Sequence, residues 1–180
     1  LIFVTGNAEK FAEAKAILPD LKRADIELPE IQSLDARAIV TAKLRAARAT
    51  QKGALIVEDT GLYVDALGGL PGPLVKWFLE SVGPTGIFEL ASSRGSTGAR
   101  AKTVVGYAPE SGPIRFFEGT VVGRLVAPRG SSGFGWDFIF QPEGASKTFA
   151  EMSAPEKRVV SMRTLALESL RMHLLSGGRR

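Results

Sequence analysis

The chain has 180 residues, 44% of them hydrophobic, enough for one domain with a sizeable core. It has no cysteine and one histidine, His173, which excludes disulfides, thiolate nucleophiles and thiolate zinc sites and argues against His-based triads and multi-His metal centres. The net charge of +4 favours anionic partners, but Lys and Arg are scattered rather than gathered in one run, so nucleic acid is not an expected partner.

Leu1 to Val4 reads as a short buried strand, followed by the turn-like Thr5-Gly6-Asn7 and by a helix over "AEKFAEAKAIL", whose Phe11, Ala14, Ile17 and Leu18 recur at helical spacing until Pro19 stops it. "ADIEL" is a second strand candidate, and Ser33 is placed to cap a helix through "LDARAIVTAKLRAARAT". "ALIVED" is a β-rich run that stops at two acids, and "GLYVDAL" alternates like a further strand. "GGLPGP" is a punctuated loop leading into a short helix, "LVKWFLE". "AKTVVGYA" and "IRFFEGTVVGRLV", separated by "PESGP", predict a β-meander, and one helix over "APEKRVVSMRTLALESLRMHLL", with Pro155 in its first turn, closes the chain. The final "GGRR" reads as a frayed tail. The whole predicts a single α/β domain over residues 1–180. No run reaches bilayer-spanning length and no basic-then-apolar leader opens the sequence, so a cytoplasmic protein without a membrane partner is expected.

With Cys and His out of play, catalysis must rest on carboxylates, Lys, Arg and hydroxyls, an inventory that suits an oxygen-loving cation such as Mg²⁺. The strand, turn and helix start around "TGNAEK" can face an anion with backbone N–H groups, and Lys10 lies one turn into the helix, although Thr-Gly-Asn also suits a plain helix cap. No Walker signature occurs. Glu58 and Asp59 end an apolar run, where a strand would present carboxylates and a divalent cation would relieve their repulsion. Glu30 is a further carboxylate after the "ADIEL" strand. Lys76 stands at a helix start, against the helix dipole, which a bound anion would justify. Phe134, Trp136 and Asp137 combine flat apolar faces with one carboxylate, suited either to reading a base or to an ordinary core. Lys157 and Ser161 are helical neighbours, with Arg163 two residues on.

Taken together and in order, "TGNAEK", "LPE", "VEDTGL", "ALGGLPGPLVKWFLE", "VAPRG", "FGWDFIFQPEG", "TFAEM" and "EKRVVSMR" resemble the inosine triphosphate pyrophosphatase family, in its eukaryotic-like branch, over nearly the whole chain. The resemblance implies an elongated central mixed sheet flanked by helices in two lobes, an active-site cleft between them, and a homodimer. It implies Mg²⁺-dependent hydrolysis, with Mn²⁺ as a substitute, of ITP, dITP and XTP to the monophosphate and pyrophosphate. By its motifs, Thr5, Gly6, Asn7, Ala8, Glu9 and Lys10 surround the triphosphate, with Lys43 and Lys76 as further phosphate ligands. Glu30 and Asp59 hold the metal, Asp59 also prepares the attacking water with Glu58 beside it, and Thr60 touches the nucleotide. Phe134, Gly135, Trp136 and Asp137 form the base pocket, which Lys157, Met162 and Arg163 face. Met162 stands where that family usually has His, trading a hydrogen bond for soft packing. Two other readings fit parts of this pattern: a Maf-like pyrophosphatase acting on modified pyrimidine nucleotides, and a basic nucleic-acid-binding module.

Overall fold

The structure, a computed structural model, describes residues 1–177, so the "GGRR" tail lies largely outside the described residues. The chain alternates strand and helix in its first part: β1 (Ile2–Val4), α1 (Ala8–Lys15), β2 (Lys22–Ala24), α2 (Ala36–Thr50) and β3 (Leu55–Val64). A two-residue β4 (Pro71–Gly72) and a long helical run α3 (Val75–Ser93), interrupted at Gly83, come next. Then follow β5 (Gly98–Ala108), β6 (Arg115–Leu125), β7 (Phe140–Pro142), α4 (Ala154–Val160) and α5 (Met162–Leu175). The sheet has seven strands in the order β2-β1-β3-β5-β6-β7, with β4 paired to β3. It is mixed, because β1 runs parallel to β2 and β3 whereas β4 and β7 are antiparallel to β3 and β6. None of the described helices is long and apolar enough to cross a membrane.

Contacts divide the chain into two compact units. The first comprises Leu1–Asp59, Thr103–Gly119 and the chain from Met162; the second comprises Thr60–Lys102 and Thr120–Ser161. In the first unit the period-two alternation of the strands sorts two cores. Phe3, Ile56 and Val105 pack with Ala14, Leu18 and Leu170 of the α1 and α5 side. Val4, Leu55, Val57 and Val104 pack with Val40, Leu44 and Ala47 of α2. At Gly106 an added Cβ would come 2.3 Å from Val40 Cγ1, so the bare backbone is what lets α2 lie this close to the sheet.

Four sequence-based expectations need correction. "ALIVED" and "GLYVDAL" are not two strands but one, β3, ten residues long, so Glu58 and Asp59 lie in mid-strand rather than at its end. Neither Gly nor Pro stops the run at the acids, and both acids find charge partners within the strand's surroundings. The second strand is "KRA", where the chain can pair with β1, and "DIEL" beyond it is irregular. Asp35, not Ser33, caps α2: its Oδ1 accepts from the Arg37 N–H at 2.9 Å, while Ser33 Oγ accepts from Asp35 N–H at 3.0 Å. Finally, the closing helix is two helices, broken at a buried, extended Ser161 (φ −89°, ψ 135°). Lys157 and Ser161 are therefore not neighbours on one helix face.

Candidate active site

β1 passes into α1 through Thr5, Gly6 and Asn7. Asn7 is the N-cap, and its Oδ1 accepts the Lys10 N–H at 2.9 Å; Thr5 Oγ1 accepts the Asn7 N–H at 3.1 Å. The lone Asn of the sequence thus does cap a helix, and the cap sets where Lys10 stands. Ala8 and Glu9, both exposed, form the rest of the first turn. Lys10 reaches back to β3, placing Nζ 3.2 Å from Glu58 Oε1.

Glu58 points to the α1 and α5 side of β3 and is fully enclosed. Arg163, at the start of α5 and 2% exposed, donates from Nε to Oε1 and Oε2 at 3.1 and 2.9 Å and from Nη2 to Oε1 at 3.0 Å. Arg163 Nη1 also pairs with Glu13 of α1. Burial by itself would raise the Glu58 pKa, but Arg163 and then Lys10 outweigh it and hold the carboxyl down at about 2. Arg163 is held charged by the same exchange, its burial outweighed by Glu58 and Glu13. The sequence suggests Arg163 as a base-facing residue; in the structure its guanidinium pairs with Glu58 and Glu13.

Asp59, one residue on, points to the α2 side. Lys43 of α2 stands between two carboxylates, with Nζ 2.7 Å from Glu30 Oε1 and 3.4 Å from Asp59 Oδ1. The other oxygen, Asp59 Oδ2, is buried and has no hydrogen-bond partner among the described residues. Burial raises the Asp59 pKa above its ordinary value, and the lowering by Lys43 and Lys10 does not offset it. Glu30 and Asp59, expected as a pair of metal carboxylates, and Lys43, expected as a phosphate ligand, are thus brought together. Thr60 follows, half-buried, in the same strand.

In the second unit, Asp137 and Lys157 form a buried pair: Lys157 Nζ donates to Asp137 Oδ2 at 2.7 Å, and the Phe134 N–H donates to the same oxygen at 3.1 Å. The ammonium also lies over the rings of Phe134 and Phe149, at 5.0 and 5.5 Å from their centroids. Gly133, at φ 101°, would drive a Cβ to 2.7 Å from Asp137 Oδ2, so only glycine lets the loop close on that carboxylate. Gly135, also at positive φ, turns the chain between Phe134 and Trp136. Phe134 is half-buried, whereas Trp136 is buried and packs on Phe140 and Phe149 at 5.6 and 6.1 Å. Lys76, exposed in the first turn of α3, has its Nζ 5.5 Å from the Trp77 ring. Met162 is buried at the first position of α5. Sequence reading did not single out Glu13, whose signal is its place three residues after Lys10 on one helix face, or Arg23 and Asp25, which lie on and beside β2.

The mixed sheet flanked by helices, with clusters of carboxylates, lysines and arginine on it, defines a mixed α/β protein. Residues 1–173 match the Ham1 family, and the chain belongs to it. It is 47% identical to the inosine triphosphate pyrophosphatase of Schizosaccharomyces pombe over 98% of this chain and 95% of that protein. Among solved structures it resembles a HAM1 protein from Coxiella burnetii, with a TM-score of 0.79 and 25% identity over 97% of this chain and 98% of the other. It also resembles a nucleoside-triphosphatase, described as a dITP/XTP pyrophosphatase, from Mycobacterium abscessus, with a TM-score of 0.70 and 27% identity over 94% of this chain and 97% of the other.

Proposed function

We propose that this chain hydrolyses non-canonical purine nucleoside triphosphates, ITP, dITP and XTP, to the monophosphate and pyrophosphate. The observation that carries the reading is the buried, partnerless Oδ2 of Asp59 beside Lys43 and Glu30. Names of the relatives support the substrate class.

The residues fit a Mg²⁺ ion. Glu30 and Asp59 both reach the Lys43 ammonium, Asp59 keeps a second, buried oxygen without a hydrogen-bond partner among the described residues, and Mg²⁺ is commonly held by one or two carboxylates completed by substrate phosphates. Glu30 and Asp59 would hold the ion, which would neutralise charge developing on the phosphates.

The protein's own part follows from the geometry. Lys10 and Lys43 bring ammonium groups to the triphosphate, where charge neutralisation does most of the catalytic work in phosphoryl transfer. Asp59 accepts the proton of the attacking water, a role helped by a pKa moved upward. Glu58 does not serve as a base, because at a pKa of about 2 it holds no affinity for a proton near neutrality; it orients Lys10. Phe134 offers a ring on which a base can stack, and Lys157 beside it offers a donor to the 6-keto oxygen that marks hypoxanthine and xanthine. Adenine would set an amino donor against that ammonium, and an unmatched buried polar contact costs roughly 1–3 kcal/mol. We extend the reading to a homodimer acting in the cytoplasm, whose association state light scattering would check. Pyrophosphate release from ITP, XTP, ATP and GTP with and without Mg²⁺ tests the whole; equal turnover of ATP and ITP would overturn the substrate class.

A further inference from the structure

The turn between β1 and α1 is gripped from outside by a side chain that lies in no predicted site. Arg23, on β2 opposite Phe3 of β1, extends past the strand end. Its Nε donates to the carbonyl of Thr5 at 3.0 Å and its Nη2 to the carbonyl of Gly6 at 2.8 Å. The same Nη2 is tied to Asp25 Oδ2 at 2.7 Å, so the fork is itself held in place. The adjoining backbone is fastened too: Thr5 N–H donates to the Ala24 carbonyl at 3.0 Å.

A trans peptide is planar, and its N–H points opposite to its C=O. Turning the Thr5 and Gly6 carbonyls toward Arg23 therefore turns the N–H groups of Gly6 and Asn7 away from β2. The Asn7 N–H is met there by Thr5 Oγ1 at 3.1 Å, closing the turn that starts α1 and seats Lys10. Gly6 is exposed and, lacking a side chain, has little of its own to define that direction. An arginine suits the task because a planar fork can bond two carbonyls at once, which a single ammonium on a flexible stem does poorly.

We propose that Arg23, with Asp25 behind it, is a positioning residue that fixes the peptide orientation of the Thr5-Gly6-Asn7 turn for a triphosphate. The inference rests on the reading above, that this turn takes phosphate. Its consequence is a loss of binding rather than of chemistry, because the braced groups hold the phosphate chain in ground and transition states alike.

The test uses the full chain with magnesium chloride, measuring calorimetric binding of inorganic tripolyphosphate and ITP kinetics for Arg23→Ala, Arg23→Lys, Asp25→Asn and Asn7→Ala. The expected result is about a tenfold weaker tripolyphosphate affinity and a matching rise in KM for Arg23→Ala, with kcat within about twofold, the scale of a lost pair of charge-assisted hydrogen bonds. Arg23→Lys recovers little of this, and Asp25→Asn loses about two- to threefold by the same scale. Wild-type affinity in Arg23→Ala, or in Arg23→Lys, overturns the brace, the second by showing that charge alone suffices. If Asn7→Ala also binds tripolyphosphate normally, the phosphate reading of the turn fails first and takes the brace with it. If Asn7→Ala weakens binding while Arg23→Ala does not, the brace alone fails.

Discussion

On one face of β3, Glu58 is enclosed by Arg163 and Lys10 and held at a pKa of about 2. On the other face Asp59 shares a single lysine with Glu30, keeps one buried oxygen without a partner, and has a raised pKa. Two acids adjacent in sequence thus sit in opposite electrostatic surroundings, and the cause is the two-residue period of a strand, which sends neighbours to different faces. Burial raises both pKa values; Arg163 closes on Glu58 with several hydrogen bonds and outweighs it, whereas Lys43 meets Asp59 at only 3.4 Å and Glu30 adds a like charge. A fully compensated carboxylate is a structural part, and an under-compensated one is available for chemistry.

The comparison breaks most visibly at Asp59→Asn. Removing the proposed general base should lower kcat for ITP about 10²- to 10⁴-fold, measured as pyrophosphate release, while the melting temperature rises slightly because a buried charge only partly offset by Lys43 is gone. Full activity would take the proton-accepting role away from Asp59. Glu58→Gln should do the reverse in kind: it leaves Arg163 short of a buried counter-charge and should cost roughly 3–5 kcal/mol in chemical denaturation. An unchanged denaturation midpoint would show that Glu13 alone satisfies Arg163.

Acid titration separates the two in a single protein. The Glu58 pKa is depressed from 4.5 to about 2, so its contribution is complete above about pH 4.5 and is lost as the pH falls toward 2, roughly 3 kcal/mol in all. Asp59, with a raised pKa, costs stability near neutrality, and that cost is relieved as the pH falls through its folded value. Denaturation followed from pH 7 to 2 should therefore show a loss that is smaller in Glu58→Gln, where Glu151 and Glu156 still contribute, and unchanged in Asp59→Asn. Next in size, Lys43→Met should raise KM for ITP about tenfold and shift the acid limb of the kcat profile to higher pH, since Asp59 loses the cation that most lowers its pKa; an unmoved limb would detach Lys43 from Asp59. The smallest effect expected is on stability in Lys10→Met, below about 1 kcal/mol, because Lys10 is partly exposed and Glu58 keeps Arg163.

Much of this site was legible as residue types in order. The lone Asn at a strand-to-helix turn, the two acids after an apolar run, and the Gly-bounded Phe134 to Asp137 segment all stand out because turns, caps and strand patterns are local. What could not be read was who meets whom. Arg163 stands 105 residues from Glu58 and 150 from Glu13 in the chain, and no local pattern announces such a pairing. The break at Ser161 was equally hidden, since "VVSMR" holds neither Gly nor Pro and is helical on both sides.

Composition determined that the chemistry is built from carboxylates, lysine and arginine, because a chain without Cys and with one His offers little else. Local order determined the α1 cap and the apolar strands, because those depend on residues within a few positions of each other. Tertiary structure decided the rest: that β3 runs on through its acids, that Glu58 and Asp59 part to opposite faces, and that Arg23 reaches the Thr5-Gly6 turn. The reason is that a carboxylate's role depends on how deeply it is buried and how many cations stand within a few ångströms, and both are properties of packing between segments far apart in the chain.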